Sequence, residues 1–331
     1  MNNLEGKNVL LIAAQLFGYE KEIHSELKNQ GAEVTYYDQR PANDFLTKVF
    51  IRLNLKLFIQ KKIDNYYTKI IEETKTIDYD YIFLVSPEAV SVENLQKIKA
   101  SQKNVKVYIY MWDSIRNKKQ ALSLLPLADR FFTFDSTDIM INKKIKFLAL
   151  FYIADYTKVT EQKKTLYDIA FIGTVHSDRY NIVKKIEKFA LENNLRTYFY
   201  FYSPSRLLFW IKKITDKNFF FIQEKDISYI SLKKENILEI IQNSRAIVDI
   251  EHPSQNGLTM RSIEMIGAKK KLITTNKNIE KYDFYNSENI TIIDRDNINI
   301  EKNFFSNEFK NIENEIYKKY SLEIWMESIF Y

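Results

Sequence analysis

The chain has 331 residues, enough for two domains of ordinary size, and its 45% hydrophobic and 28% charged residues are the balance of a globular protein. Cysteine is absent and histidine occurs three times, which excludes a disulfide framework and a thiolate nucleophile and argues against a histidine-rich metal site. The net charge of +6 is mildly basic and is compatible with anionic ligands, anionic membranes or nucleic acid.

The first half of the chain predicts alternating strands and helices. Residues 8–13 (NVLLIA) form a continuous apolar run, as expected for a strand that is buried on both faces. Further strands are predicted over 32–38, 80–85, 105–111 and 130–134, with helices over 20–30, 92–100 and 119–125. Strands and helices that alternate at this spacing are typical of βαβ units, which build a parallel sheet with helices on both faces.

The pattern then restarts in the second half. Residues 144–153 are apolar and extended, and 154–165 are a polar connection. Strands are predicted over 168–172, 196–202, 219–222, 246–250, 271–275 and 289–294, and helices over 178–193, 234–243, 258–267 and in the tail from 308. The predicted fold class is therefore α/β, with two Rossmann-like, doubly wound parallel-sheet domains that face a cleft.

The location of the protein is predicted from what the sequence lacks. The apolar runs are all shorter than the about 18 residues of a membrane span. The N-terminal residues lack the long apolar stretch and the small-residue cleavage site of a secretory signal. We therefore expect a cytoplasmic protein.

In open parallel sheets, ligands bind beyond the carboxyl ends of the strands, which makes residues 249–276 the leading site candidate. A strand ends at Ile250, and a polar loop leads through Gly257 into a helix whose first N–H groups would face an anion. Arg261 and Glu264 are three residues apart and share one face of that helix. The arginine suits a diphosphate, and the glutamate suits ribose hydroxyls. A surface ion pair is the alternative for these two residues.

This segment resembles the donor-binding signature of GT-B glycosyltransferases, most closely the bacterial spore-protein-like or lipopolysaccharide-core-type group. The residues that carry the resemblance are Gly257, Leu258, Arg261, Glu264 and Gly267, followed by a strand. Two other segments agree. Phe171-Ile172-Gly173, followed by Arg179, resembles the opening of the family's second domain, and residues 147–156 resemble the crossing between its domains.

The resemblance implies an N-terminal acceptor-binding domain over 1–155 and a nucleotide-sugar-binding domain over 156–307. It also implies a C-terminal helix within 308–331 that packs back on the first domain. The implied donor-binding residues are Gly173, His176, Arg179, His252, Gln255, Asn256, Gly257, Leu258, Thr259, Arg261 and Glu264, and Arg261 would also act in catalysis. For the two histidines and Arg179, a solvated side chain without a role is the alternative.

One departure from the family pattern concerns the donor sugar. The large retaining branch has a second glutamate before the ribose-binding one, and Asn256 stands at that position here, beside Gln255. Inverting and retaining transfer therefore both stay open. No metal or other cofactor is expected, because cationic side chains and helix dipoles can stabilise the diphosphate. The sequence Asp78-Tyr79-Asp80 matches an Asp-x-Asp metal pattern, but it precedes a predicted strand, where the start of a loop is the plainer interpretation.

Candidates on the acceptor side follow the strands of the first domain. An inverting transfer needs a general base near the acceptor hydroxyl, and Asp113, after the strand over 105–111, is the preferred catalytic residue. Its alternative role is to cap the helix that follows. Glu88 follows the strand over 80–85. The remaining acceptor-side candidates follow the first strand and are Gly18, Tyr19 and Glu20.

Residues 45–62 predict a basic amphipathic helix. Its apolar stripe is Phe45, Val49, Leu53 and Leu57, and its adjacent basic stripe is Lys48, Arg52 and Lys56. Such a helix suits an anionic membrane surface, although a core-facing helix with a solvated basic edge has the same pattern. Residues 206–213 (RLLFWIKK) are a second candidate of this kind.

The leading function is the transfer of a sugar from a nucleotide-diphosphate sugar to a cell-surface glycan or lipid-linked acceptor, as in lipopolysaccharide, capsule or exopolysaccharide biosynthesis. The enzyme would be cytoplasmic or peripheral at the inner face of the cell membrane. A nucleic-acid partner is not expected, because the positive charge is dispersed and no binding module is recognised. The alternatives are a sugar-nucleotide epimerase or hydrolase of the same fold and a non-catalytic nucleotide-sugar-binding protein. The donor, acceptor, linkage and oligomeric state stay open.

Overall fold

The structure is a computed structural model, and it describes residues 4–52, 55–160 and 165–331. These residues divide into two compact units. Unit 1 extends from the N-terminal residues to Leu150 and is completed by Leu322–Tyr331, and unit 2 is Phe151–Ser321. The sequence placed the boundaries at 155 and 307. The division differs because the main chains of Tyr152 and Tyr320 pair within unit 2, where the Tyr152 N–H donates to the Tyr320 carbonyl oxygen at 2.8 Å.

Unit 1 contains a parallel sheet flanked by helices. Its strands are β1 (Asn8–Ala13), β2 (Glu33–Asp38), β3 (Tyr81–Val85), β4 (Lys106–Met111), β5 (Arg130–Thr133) and β6 (Ile145–Phe147). Its helices are α1 (Tyr19–Asn29), α2 (Phe45–Arg52), α3 (Gln60–Thr74), α4 (Val92–Ala100) and the last helix of the chain, over Leu322–Phe330. The strand order is β2-β1-β3-β4-β5-β6, so the chain reverses its direction of winding between β1 and β3.

Unit 2 repeats this architecture. Its strands are β7 (Tyr167–Thr174), β8 (Thr197–Tyr202), β9 (Ile227–Ser228), β10 (Ser244–Asp249), β11 (Lys271–Thr274) and β12 (Ile290–Ile292). Its helices are α5 (Ala154–Thr157), α6 (Arg179–Glu192), α7 (Arg206–Thr215), α8 (Lys234–Gln242), α9 (Met260–Gly267), α10 (Asn303–Ser306) and α11 (Asn314–Lys319). The last helix of the chain, Leu322–Phe330 of unit 1, is α12. The order is β12-β11-β10-β7-β8-β9, again with all described pairs parallel.

The core of unit 1 explains why its strands are apolar throughout. Leu10 and Ile12 of β1 pack in a buried cluster with residues of α3 and α4 on one face of the sheet. On the other face, the ring of Phe83 lies 6.1 Å from Trp325 and 5.5 Å from Phe330 of α12, measured between ring centroids. Because helices cover both faces, residues pointing either way along a central strand must be apolar.

The predicted strand over 219–222 is wrong. A 3-10 helix over Lys217–Phe219 occupies its start, and the Asp216 carboxylate accepts a 3.0 Å hydrogen bond from the Asn218 N–H at the beginning of this turn. Phe219 and Ile222 are buried, whereas the two residues between them are exposed. That spacing of three belongs to a turn of helix rather than to a strand, in which alternate residues share a face.

The predicted single helix over 45–62 is also not formed. Helix α2 covers Phe45–Arg52, a 3-10 helix covers Lys56–Ile59, and α3 starts at Gln60. The side chains of the predicted stripes that lie outside the described residues are Phe45, Lys48, Arg52 and Leu53. Leu57 is exposed, and Lys56 is half-buried. Across the described residues, each helix is too short or too polar to cross a membrane.

Candidate functional site

The sheet order of unit 2 brings the predicted donor-site loops together. Strand β10 lies between β7 and β11, so the loops that follow these three strands meet at one carboxyl edge. The loop after β7 leads into α6 and contains His176. The loop after β10 leads into α9 and contains residues 250–259. This edge is where an open parallel sheet binds its ligand.

A buried carboxylate positions the start of α9. Asp249, the last residue of β10, accepts hydrogen bonds of 2.6 Å from the hydroxyls of both Thr259 and Ser262. Thr259 is the N-cap of α9, and its hydroxyl oxygen accepts from the Ser262 N–H at 3.3 Å. The cap and the carboxylate together fix the direction of the first turn. The N–H groups of the first turn of this helix are therefore held at the carboxyl edge of the sheet.

Arg261 and Glu264 form an ion pair within α9, with 3.3 Å between Nη1 of the arginine and Oε2 of the glutamate. Their side chains are 18% and 7% exposed, so this is not a solvated pair on a helix surface. Removing a charged pair from water is costly, so a buried ion pair is not by itself evidence of a stabilising role. The pair is placed where the sequence analysis expects a diphosphate and a ribose.

Arg179 links the first and second donor-site loops. Its Nε donates to the Ile250 carbonyl oxygen at 2.6 Å, and one Nη lies 3.4 Å from the Thr174 carbonyl oxygen. Burial lowers the pKa of this guanidinium, and the positive charges of Arg261 and Arg295 lower it further, against the opposing effect of nearby carboxylates. Among the described residues, its hydrogen bonds go to main-chain oxygens and not to a carboxylate.

Two residues of this edge were missed by the sequence analysis. Arg295, after β12, makes hydrogen bonds of 2.9 and 2.8 Å to the two carboxylate oxygens of Asp178, and its second Nη donates to the carboxylate of Glu251. Glu251 is buried and also accepts from the Thr275 hydroxyl. The network joins the loops after four strands. Its members are up to 117 residues apart in sequence, so local patterns contain no signal for it.

The two histidines of the donor-site loops lie close together, with 5.9 Å between ring centroids. Burial lowers the pKa of His176 to about 3, and the charge of Arg179 adds to this effect. His176 is therefore neutral near pH 7, and it can exchange hydrogen bonds with a ligand without adding charge. His252 is exposed, and its Nδ1 accepts a 3.3 Å hydrogen bond from the Ser254 N–H.

The loop before α9 is held by side chains of the next strand connection. Asn276, after β11, donates to the Gly257 carbonyl oxygen at 3.3 Å, and Gln255 donates to the same oxygen at 2.9 Å. Asn278 donates to the Asn256 carbonyl oxygen at 3.3 Å. Leu258, within this loop, is buried. These bonds use main-chain oxygens and order the loop in which the sequence analysis expects contacts to the donor sugar.

Two glycines of the predicted signature are required by packing. A Cβ on Gly173, in β7, would lie 2.7 Å from the ring of Phe171. A Cβ on Gly267, the last residue of α9, would lie 2.5 Å from the ring of Tyr152. Such distances are far inside van der Waals contact, so neither position accepts a side chain without rearrangement. The structure thus gives these two glycines a packing role whether or not they also approach a ligand.

The acceptor-side candidates follow neighbouring strands of unit 1. Gly18, in the left-handed conformation with a φ of 86°, precedes α1, and the ring of Tyr19 lies 5.6 Å from that of Trp112. Glu20 is buried and accepts from the Leu16 N–H at 3.0 Å. Its carboxylate thus closes the loop after β1.

Asp113 and Glu88 differ in their surroundings. Glu88 is buried after β3, with its carboxylate 2.6 Å from the Lys118 amine. Asp113 is exposed after β4, and the residue that follows it is anchored by a hydrogen bond between the Ser114 hydroxyl and the Asp135 carboxylate. Of these two carboxylates, Asp113 is the one an incoming hydroxyl can reach from solvent.

The Asp-x-Asp sequence lies at the opposite edge of the first sheet. Asp80 accepts from the Asn8 N–H at 2.9 Å and pairs with the Lys7 amine at 2.9 Å, at the amino ends of β1 and β3. Asp78 pairs with Lys103 at 3.0 Å. Both carboxylates therefore join neighbouring segments of unit 1. In the described part of the chain, no group of three or more histidine, aspartate or glutamate side chains is arranged to hold a metal ion.

Comparison with known proteins establishes the fold. No protein-family model matches the chain, and no curated protein matches it in sequence. The solved structures that resemble it include the lipopolysaccharide outer core galactosyltransferase WaaB in its apo form, with 14% identity, a TM-score of 0.53 and 97% of each chain covered. Sucrose-phosphate synthase from Thermosynechococcus elongatus matches with 9% identity and a TM-score of 0.57, covering 98% of this chain and 95% of that one.

A UDP-N-acetylglucosamine 2-epimerase also matches, with 11% identity and a TM-score of 0.53, covering 98% of this chain and 94% of that one. These similarities extend over nearly the whole chain and include both units. The protein therefore has the GT-B fold, with two Rossmann-like parallel sheets, as the sequence predicts. Because the same fold serves transferases and an epimerase, the fold does not select the reaction, and function must be argued from the site.

Proposed function

We propose that the protein is a glycosyltransferase that moves a sugar from a nucleotide-diphosphate sugar to a cell-surface glycan or lipid-linked acceptor. The reaction would belong to the biosynthesis of lipopolysaccharide, capsule or another exopolysaccharide. The proposal is supported by the GT-B fold and by the chemistry at the carboxyl edge of unit 2. It does not extend to the identity of the donor sugar, the acceptor or the linkage.

The observation that carries the proposal is the environment of Arg179. Arg179 is half-buried, its guanidinium feels the positive charges of Arg261 and Arg295, and it donates to main-chain oxygens of the loops after β7 and β10. The carboxylates of Asp249 and Glu251 offset part of this positive charge, and an anionic ligand would stabilise it further. A diphosphate supplies that anion and can also accept hydrogen bonds from the first N–H groups of α9.

The donor would bind with its diphosphate between Arg179 and the start of α9 and with its ribose at the Glu264 carboxylate. Arg261 lies one turn before Glu264 and would stabilise the charge that develops on the leaving diphosphate. His176, neutral near pH 7, would complete the phosphate contacts as a hydrogen-bond partner. In this scheme no metal or other cofactor takes part, since side-chain cations and helix N–H groups meet the negative charge.

The acceptor would be activated in unit 1. In an inverting reaction, the oxygen of an acceptor hydroxyl forms a bond to the anomeric carbon while the bond from that carbon to the diphosphate oxygen breaks. The hydroxyl proton passes to the Asp113 carboxylate, and the nucleoside diphosphate leaves with the electron pair of the broken bond. Asp113 is proposed for this role because it is exposed after β4, whereas Glu88 is buried beside Lys118.

A lipid-linked acceptor would place the enzyme at the inner face of the membrane, and the region 45–62 is proposed to contribute to that contact. Leu57 and Phe58 are exposed in the 3-10 helix after α2. Lys56 is half-buried, which limits the access of its amine to lipid head groups. The proposed contact of this region is therefore mainly apolar, through exposed side chains at the lipid interface.

The proposal is tested by binding and product analysis. Nucleoside diphosphates and their sugars are screened by thermal shift, because a ligand at one hundred times its dissociation constant stabilises the folded state by about 2.7 kcal/mol. A stabilising nucleotide sugar is then incubated with glycan acceptors. If the protein is a glycosyltransferase, nucleoside diphosphate is released only when an acceptor is present. Conversion of the nucleotide sugar to an epimer without acceptor would instead establish the epimerase, and binding without turnover would leave a sugar-nucleotide-binding protein.

A further inference from the structure

Helix α7 of unit 2 has an apolar stripe that faces solvent. Leu207, Trp210, Ile211 and Ile214 follow the spacing of one helical face and are 69%, 47%, 47% and 77% exposed. Phe209 is the buried residue of this helix and holds it against the unit through contact with the ring of Phe219, at 6.2 Å between centroids. The helix therefore has two apolar faces. One packs on the unit through Phe209, and the other is exposed to water.

The exposed apolar surface continues beyond the helix. Phe220 and Phe221, in the turn after α7, are 51% and 80% exposed. The turn is tied back to the helix, since the Lys213 amine donates to the Ile222 carbonyl oxygen at 2.6 Å. Large apolar side chains exposed together on a helix and on the turn after it indicate an interaction surface.

The charges around this stripe indicate the partner. Residues 206–221 contain four basic side chains and one acidic side chain. The acidic residue, Asp216, caps the following turn by accepting a hydrogen bond from the Asn218 N–H. Lys212 lies over the ring of Phe219, at 5.1 Å from its centroid, and remains exposed. Apolar and aromatic side chains bordered by lysine and arginine fit the head-group region of an anionic membrane.

Trp210 strengthens this assignment. Its indole is half exposed, and the Lys213 amine lies 5.5 Å from the ring centroid. Tryptophan is enriched where an apolar environment meets water, because its ring is amphipathic. We propose that α7 and the turn after it form a second membrane-contact surface, which lies in the nucleotide-sugar-binding unit and docks on anionic lipid. This proposal is independent of the donor assignment and of the region 45–62.

The direct experiment is quenching of tryptophan fluorescence by vesicles of phosphatidylcholine and phosphatidylglycerol in equal parts that carry brominated acyl chains. Quenching of the full chain is expected, and it should be lost in Trp210→Phe. Co-sedimentation with unbrominated vesicles of the same composition measures the affinity. We expect it to fall with added salt and to fall about tenfold or more in Leu207→Gln/Ile214→Gln. Leu191→Gln, at an exposed apolar residue of α6, is the matched control and should bind as the unsubstituted chain does.

Three results would overturn the proposal. The first is failure of the protein to sediment with anionic vesicles, or equal binding to pure phosphatidylcholine. The second is binding that the α7 substitutions leave unchanged and that Leu57→Gln removes, which would assign the membrane contact to the region 45–62. The third is a dimer without lipid that Leu207→Gln/Ile214→Gln dissociates, which would make the stripe an interface between copies of this chain. All measurements are made without nucleotide sugar, so loss of the donor assignment does not affect them.

Discussion

Asp249 accepts a hydrogen bond of 2.6 Å from the hydroxyl of Ser262, thirteen residues later in the chain. The carboxylate is buried at the end of β10, and Thr259 donates to the same oxygen. A single oxygen atom thus fixes the start of α9, the helix on which Arg261 and Glu264 lie. We therefore expect the stability of the unit and the placement of the proposed donor-binding side chains to depend on the same residue.

Asp249→Ala should destabilise the protein by about 2–4 kcal/mol, because two buried hydroxyls lose a charged acceptor. Affinity for the donor should also fall, since the first turn of α9 is no longer held. Urea denaturation measures the first effect, and calorimetric titration with the nucleotide sugar measures the second. Asp296→Ala, at a side chain that is 96% exposed, is the control and should change neither. Full stability of Asp249→Ala would mean that the network does not order the helix.

Arg179→Ala and Arg261→Ala should each weaken donor binding by about tenfold to a hundredfold, the equivalent of one charge-assisted hydrogen bond. Turnover should fall further in Arg261→Ala, because the charge on the diphosphate grows in the transition state. Calorimetry and steady-state kinetics separate the two effects. Arg206→Ala, at an exposed arginine of the same unit, should bind donor normally. Unchanged donor affinity in both site variants would remove the proposed diphosphate site.

Asp113→Asn should lower kcat by about a hundredfold to ten-thousandfold and leave the dissociation constant of the donor unchanged, if Asp113 is the general base. The amide keeps the size of the side chain and loses only its ability to accept the proton. The comparison is Glu88→Gln, where the substituted carboxylate is buried beside Lys118 and the expected loss is mainly of stability. A variant at Asp113 with normal turnover would exclude it as the base.

The depressed pKa of His176 predicts a dependence of stability on pH. The folded pKa is about 3 and the ordinary value is 6.5, so between these limits the unfolded chain binds a proton that the folded chain does not. Stability is therefore lost as the pH falls below about 6.5, by about 1.4 kcal/mol per pH unit from this residue, and the loss levels off near the folded pKa. Above pH 7 the residue has no such effect.

The measurement is urea denaturation at a series of pH values between about 7 and 4. His176→Gln removes the titrating group and should flatten the curve in this range, by about 2 kcal/mol between pH 7 and pH 5. Curves of the two proteins that fall in parallel would show that His176 does not remain neutral on acidification. Binding of a diphosphate should raise the pKa of His176 and so be favoured by mild acid.

The order of strands and helices could be predicted largely from the sequence, and the reason is burial. A strand such as β1 is covered on both faces, so its residues are apolar without interruption and are visible in a short window. The predictions of a strand at 219–222 and of a continuous helix over 45–62 failed because each rests on a few apolar residues, and a short apolar pattern does not distinguish a strand from a helical turn or show where a helix is interrupted. Phe219 packs against Phe209 of α7 within the core of unit 2, a contact that a short sequence window does not show.

The sequence by itself determined the two parallel sheets and the placement of Arg261 and Glu264 on one helix after a strand, because these features lie in continuous segments of the chain. Only the tertiary structure decided what surrounds them. Arg295 meets Asp178 because β12 and β7 belong to one sheet, and Arg179 reaches Ile250 because their strands are neighbours. Packing also decided which side chains of α7 are exposed to solvent. The spacing of an amphipathic helix is the same whether its apolar stripe is buried in a core or exposed.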